Sequence, residues 1–325
     1  MSGTQIPDNN TLSYWQSQYL ESIRMNNYSP NTVYSNGRYI GYFVQWCGDR
    51  ELHHPEDITP PVLERYRRYL YHYRTKTGQP LKQRTQLGYL VPVRALFRWL
   101  TKRKVLVYNP AAEIELPRPE HHLPKDILKP AEVELVINQV DITEPLGLRD
   151  RALLEVLYST GLRRAEVTAL TLNNVDYDQG MVMVRQGKGR KDRCIPIGDR
   201  ALAWLHKYLS DRRPYLKYAH NHEEIFLSVN GLPMHNGDVA RRVRHYVKQA
   251  ELGKEGACHM FRHSMATAML DNGADIRHIQ LILGHASLKT TQIYTQVSNR
   301  ALKDVHSKTH PARLEKEENE INGQE

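Results

Sequence analysis

The stretch VDYDQGMVMVRQGKGRKDRCIPI, residues 175–197, is where apolar side chains alternate instead of recurring every three or four positions. Val182 and Val184, then Ile195 and Ile197, predict two antiparallel strands, with Gly187-Lys188-Gly189 in the turn region between them. Outward from this hairpin the pattern turns helical on both sides. Upstream, Lys129-Pro130 opens one helix, and 147–158 and 163–171 carry two more. Downstream, helical periodicity runs through 200–212, 237–250, 259–271 and 275–283. A chain so arranged is mainly α with a small antiparallel β-sheet.

Further upstream the helices group separately. Leu12, Trp15, Tyr19 and Ile23 keep helical spacing, and Ser29-Pro30 is an N-cap followed by proline at the first helical position. Val33, Ile40, Phe43, Val44 and Cys47 form the next apolar face, and Thr59-Pro60 repeats the start signal ahead of Leu63, Tyr66 and Leu70. After the turn Thr77-Gly78-Gln79-Pro80, a fourth helix is marked by Leu90, Val93, Phe97 and Leu100, with Pro92 standing against it. Four amphipathic helices make a small bundle. Residues 109–124, NPAAEIELPRPEHHLP, hold four prolines and no helical period. The predicted organisation is a helical domain over 1–108, a linker over 109–124, a second domain over 125–310 and an acidic tail over 311–325.

Composition narrows the function. A 325-residue chain with a 40% hydrophobic share suits two cores. No apolar run approaches the roughly 18 residues of a membrane span, and MSGTQIPDNN lacks the basic start and apolar stretch of a signal peptide. A cytoplasmic protein away from membranes is expected. Cys47, Cys194 and Cys258 lie far apart, outside any metal-ligand spacing, and read as reduced, buried thiols. Net charge is +9, unevenly placed. Residues 61–104 hold twelve Lys and Arg against Glu64 alone, a local +11, while 314–325 hold five Glu against Lys316. Like charges so concentrated repel on folding, and a polyanionic partner offsets that repulsion.

Four short stretches carry reactive groups. They are Thr160-Gly161-Leu162-Arg163-Arg164-Ala165-Glu166, Gly187-Lys188-Gly189-Arg190-Lys191, His259-Met260-Phe261-Arg262-His263, and Leu283-Gly284-His285 followed nine residues later by Tyr294. Singly each has an ordinary explanation. An Arg opening a helix with Glu166 three positions on is a common surface pair, hairpin turns favour Gly and Lys, and one Tyr among nineteen signifies nothing. Their order and spacing together carry more. In this the sequence resembles the tyrosine recombinase family, and within it the Xer-like enzymes and the phage and transposon integrases, from Leu12 to about Val305.

The resemblance implies a helical, SAM-like core-binding domain followed by a catalytic domain. Its T-G-x-R-x-x-E pattern falls on Arg163 with Glu166 in support, its hairpin lysine on Lys188, its H-x-x-R on His259 and Arg262, its second histidine on His285 and its nucleophile on Tyr294. The extra basic residues Arg164 and His263 read as supporting or surface groups.

The implied reaction explains these residue types. A phosphodiester attacked by oxygen gains negative charge on its non-bridging oxygens, which two Arg forks and a His can hold without any metal or cofactor. A phenol with a pKa of about 10 is only about 0.3% ionised at pH 7.5, a deficit of about 3.4 kcal/mol that clustered cations or a base must offset. His259 is the candidate base or proton relay, and Lys188 the candidate acid for the leaving 5′-oxygen.

The implied partner is a double-stranded DNA recombination site. Lys82, Gln83 and Arg84 at the start of the fourth helix are placed to enter a groove, and Arg190, Lys191, Arg241, Arg242 and Arg244 to meet phosphates. On the third helix Arg67 and Arg74 are expected to share a face, with Tyr66, Tyr69 and Tyr73 directed to the core. Residues 298–310 put Ala301, Leu302 and Val305 on one helical face. The family likeness implies that this helix docks into a neighbouring subunit, giving a homo-tetramer on two DNA sites. A second recombinase or an accessory protein is compatible with the sequence, and the extended ends lean towards a mobile-element enzyme. A type IB topoisomerase would share the chemistry; a non-catalytic DNA-binding relic would be expected to have lost part of the six-residue set.

Overall fold

The computed structural model describes residues 9–118, 126–185, 192–285 and 287–294. The chain divides into two compact units, Met1–His121 and His122–Glu325. Among the described residues no helix is long and apolar enough to cross a membrane.

The first unit packs four helices: α1 (Leu12–Met25), α2 (Pro30–Gly48), α3 (Pro60–His72) and α4 (Gln83–Lys102). Thr11 and Ser29 cap α1 and α2, their hydroxyls accepting from the backbone N–H of Tyr14 and Thr32. Thr59 stands at the same position before α3 but makes no capping bond. Ile40, Phe43, Leu90, Val93, Phe97 and Leu100 are fully buried in the shared core. Each such side chain contributes about 1.5–3 kcal/mol on leaving water, which explains why α4 runs through Pro92 despite the missing N–H. The lost bond is the one that would have gone to the Gly88 carbonyl, four residues back. The expected linker begins inside this unit: Ala111 is buried in its core, and Ile114 and Leu116 pack against it.

α3 is shorter than its expected apolar and basic faces require. The helix ends at His72, so Arg74 is not on its face; it bridges to Pro80 and donates to the Tyr71, Tyr73 and His72 carbonyls. Tyr66 is in the core, but Tyr69 and Tyr73 are about 40% exposed. They line a cleft of about 300 Å³ with Tyr42 and Tyr89. Leaving the helix at Tyr73 releases the side chain from the 3.6-residue period that would have buried it.

The second unit contains α5 (Pro130–Ile137), α6 (Gly147–Thr160), α7 (Arg164–Thr168), β1 (Val175–Asp176), β2 (Met181–Val184), β3 (Arg193–Pro196), α8 (Asp199–Asp211), α9 (Asn236–Gln249), α10 (Cys258–Asp271), α11 (Ile276–Leu283) and α12 (Leu288–Thr291), followed by a 3₁₀ turn over Gln292–Tyr294. The sheet is antiparallel in the order β1-β2-β3, with Val182 opposite Ile195 and Val184 opposite Arg193. Val182, Val184, Ile195 and Ile197 are buried against α6, α8 and α10 residues in one core. Cys47 and Cys258 are buried free thiols; Cys194, expected to be buried, points outward from β3 between two inward residues. Lys188, Arg190, Lys191 and the segments 298–310 and 311–325 lie outside the described residues.

Candidate active site

Two glycines organise the site, by the same device. Gly161 ends α6 and Gly284 ends α11, each in the left-handed conformation at φ +60°. A Cβ on Gly161 would collide with Met265 Cε, and one on Gly284 would stand 2.9 Å from Arg193 Cδ and Nε. Each helix end turns a carbonyl towards an arginine. Arg262, on α10 and 3% exposed, donates through Nη1 to Gly161 O (2.6 Å) and through Nη2 to Leu283 O (2.5 Å). Arg163, the N-cap residue of α7, donates through Nη2 to Gly284 O (3.3 Å). The two guanidiniums therefore reach consecutive carbonyls of one turn. Burial, then the charge of Arg163, brings Arg262 down to about 10, which leaves it protonated near neutrality.

Glu166 holds this pair of cations in place. Its Oε2 accepts the Arg163 backbone N–H (2.8 Å), and its Oε1 accepts Arg163 Nη1 (2.8 Å). Arg193, at the start of β3, completes a two-pronged contact with Nη1 and Nη2 at 3.0 and 2.9 Å, and its Nε donates to Ile282 O (3.1 Å). Burial alone would raise the Glu166 pKa, but the hydrogen bonds from Arg193 and the Arg163 backbone bring it to about 2. Arg193 thus ties β3 to α7 and to the end of α11. The sequence reading missed it, because an arginine opening a strand carries no signal of what it will reach across space.

His285 follows Gly284. Arg262 Nη2 lies 3.0 Å from His285 Nε2, and His285 Nδ1 lies 2.9 Å from Thr291 Oγ1. Arginine can only donate, so Nε2 accepts and the ring proton sits on Nδ1, bonded to the fully buried Thr291. Tyr294 is fully buried on the 3₁₀ turn, its ring parallel to His285 with centroids 6.5 Å apart. Its Oη lies 2.9 Å from His263 Nδ1. Burial pushes the phenol upward, while Arg262 and Arg163 pull it back. His263, expected at the surface or in a supporting place, is therefore the side chain in contact with the phenol. One helical turn earlier, His259 is exposed, its ring 6.4 Å from that of His263. Partial desolvation, then Arg262, Arg164 and Arg163, hold His259 below the usual imidazole value.

Arg163, Glu166, Arg262, His285 and Tyr294 thus converge, with His259 beside them. Lys82, Gln83 and Arg84 are exposed at the start of α4 in the first unit. On α9, Arg241, Arg242 and Arg244 are exposed; Arg241 pairs with Asp238 (2.8 Å) and Arg242 stands 3.6 Å from Asp150. Among the described residues no group of three or more His, Cys, Asp or Glu is arranged to hold a metal ion.

Residues 126–300 match the phage integrase family, and residues 11–116 match the phage integrase SAM-like domain. The chain is 46% identical over 307 residues to tyrosine recombinase XerC 2 of Ralstonia nicotianae, covering 94% of this chain and 88% of that protein. To tyrosine recombinase XerD of Pseudomonas putida it is 34% identical over 295 residues, covering 90% and 96%. Among solved structures, the XerH site-specific recombinase bound to palindromic difH substrate, a post-cleavage complex, matches with a TM-score of 0.68 at 23% identity, over 90% of this chain and 84% of that one. A SAM-like helical domain preceding a mainly helical catalytic domain is the architecture of the tyrosine recombinases. The chain belongs to the phage integrase family, and its activity is site-specific recombination by cleaving and rejoining DNA strands.

Proposed function

We propose that Tyr294 is the nucleophile of this recombinase and that it forms a covalent 3′-phosphotyrosyl link to one DNA strand. The single observation that carries this reading is the convergence of Tyr294 with Arg163, Arg262 and His285 around the end of α11. Tyr294 Oη attacks phosphorus, the bond to the 5′-oxygen breaks, and the phenolic proton passes to His259 directly or through water. His259, kept below its ordinary pKa, is neutral at pH 7 and able to accept it. Lys188 supplies the proton to the departing 5′-oxygen. Arg163 and Arg262 stabilise the charge gathering on the non-bridging oxygens, His285 adds a hydrogen bond once its Nε2 gives up the Arg262 contact and carries a proton, and Glu166 keeps Arg163 oriented. A 5′-hydroxyl from another strand then attacks the phosphotyrosyl bond, restoring the phenol and a joined backbone.

The partner is a double-stranded DNA recombination site, a reading supported by the similar XerH site-specific recombinase, which was solved bound to palindromic difH substrate. Lys82, Gln83 and Arg84 face it from the first unit, and Arg190, Lys191, Arg241, Arg242 and Arg244 contact its phosphates from the second. Four copies assemble on two sites through residues 298–310, in the cytoplasm, to integrate, excise or resolve a mobile element or replicon. A duplex nicked near the scissile phosphate, incubated with protein and run on a denaturing gel, tests the nucleophile. The wild type should trap a covalent adduct; Tyr294→Phe should bind the same duplex and trap none. An adduct persisting in Tyr294→Phe would remove Tyr294 from the reaction.

A further inference from the structure

We propose that His263 is a latch for the nucleophile: its Nδ1 accepts the Tyr294 hydroxyl and holds the phenol inside the protein, and strand cleavage requires this bond to open. The inference rests on the reading of Tyr294 as nucleophile.

Tyr294 is 0% exposed and packs with Met265, Ala266, Ile279 and Leu283. An oxygen so enclosed cannot approach a phosphorus atom of a duplex. Its one polar contact in the described structure is His263 Nδ1 at 2.9 Å, with ring centroids 5.5 Å apart. Successive residues of α10 divide the labour: Arg262 turns to the Gly161 and Leu283 carbonyls, and His263 turns to the phenol.

The direction of the hydrogen bond follows from the charge states. Burial, then His259 and Arg262, push His263 to about 4, so its ring is uncharged at neutral pH. The phenol, raised above 10, is protonated. The phenol therefore donates to Nδ1, and the ring proton of His263 sits on Nε2. Proton transfer along this bond is disfavoured, because burial lowers the imidazole and raises the phenol, so both ends favour the neutral pair. His263 cannot be the base in this arrangement. It is a positioning residue that stabilises the docked, neutral nucleophile against the released one.

One intramolecular hydrogen bond should shift this balance about fivefold. Nitration by tetranitromethane without DNA, followed by peptide mass spectrometry, reads the phenol directly, with exposed Tyr34 and Tyr215 as internal standards. In His263→Leu, Tyr294 should nitrate about fivefold faster relative to Tyr215, and single-turnover adduct formation on the nicked duplex should rise in parallel. His263→Asn, which keeps an acceptor near the Nδ1 position, should stay close to wild type. If the leucine variant does not fold, His263→Ala replaces it in the same comparison. Equal protection of Tyr294 in the wild type and the apolar variant overturns the latch. So does adduct formation that falls in that variant, because the contact would then serve the attack itself. Persistence of the adduct in Tyr294→Phe overturns the nucleophile reading instead, while the nitration rates still report on the contact alone.

Discussion

Glu166 carries an acid-sensitive part of the stability of the second unit. Its side chain is 7% exposed and is bound by two arginines and a backbone N–H. With a folded pKa of about 2 against an ordinary 4.5, the carboxylate contributes stability that is fully present above about pH 4.5 and lost as pH falls towards 2. The gap corresponds to about 3 kcal/mol. Glu166→Gln should lower stability at pH 7 by about that amount, by leaving Arg163 and Arg193 without their shared partner. Urea unfolding at pH 7, 5 and 3 is the check: the wild type should lose about half of its advantage over the variant between pH 5 and 3, and the rest below pH 3. Parallel curves across that interval would mean that the ion cluster does not form.

At the scale of elements, the site is built from helix ends rather than helix faces. Left-handed glycines close α6 and α11, and the carbonyls around them take Arg262 and Arg163. A side chain at Gly284 meets two obstacles, the positive φ and the Arg193 guanidinium. Gly284→Ala should therefore cost about 1–2 kcal/mol of stability from backbone strain. It should also displace Arg193 and reduce cleavage rate by on the order of tenfold or more, as loss of a supporting contact commonly does. Thermal melts and single-turnover cleavage of the nicked duplex measure the two effects together. A variant as stable and as active as the wild type would show that Arg193 has room to move.

For the whole molecule, charge and assembly are the relevant quantities. The +11 stretch over 61–104 implies that DNA affinity falls steeply with salt, because phosphate contacts release counterions. Residues 298–310, with Ala301, Leu302 and Val305 in one stripe, are proposed to join subunits. Deleting 298–325 should weaken pairing of two sites by on the order of tenfold or more, since linked contacts multiply, while single-site binding changes much less. Mobility-shift titrations with one-site and two-site duplexes separate the effects; equal loss of both would count against subunit exchange through this segment.

Local physics was legible in the sequence. Periodicity, N-caps and alternation gave α1 to α11 and the β2–β3 pair to within a few residues, because each is specified by neighbours along the chain. The residue types and order of Arg163, His259, Arg262, His285 and Tyr294 were legible too, since the chemistry needs those side chains and the family likeness orders them. What the chain alone could not supply were contacts across long separations. Arg193 reaches Glu166 from 27 positions away, and His263 meets Tyr294 across 31. Neither spacing has a period or a motif, and whether His263 faced solvent or the phenol depended on how α10 packs against the turn after α12. That packing exists only in the folded chain, where burial, direction and charge are decided together.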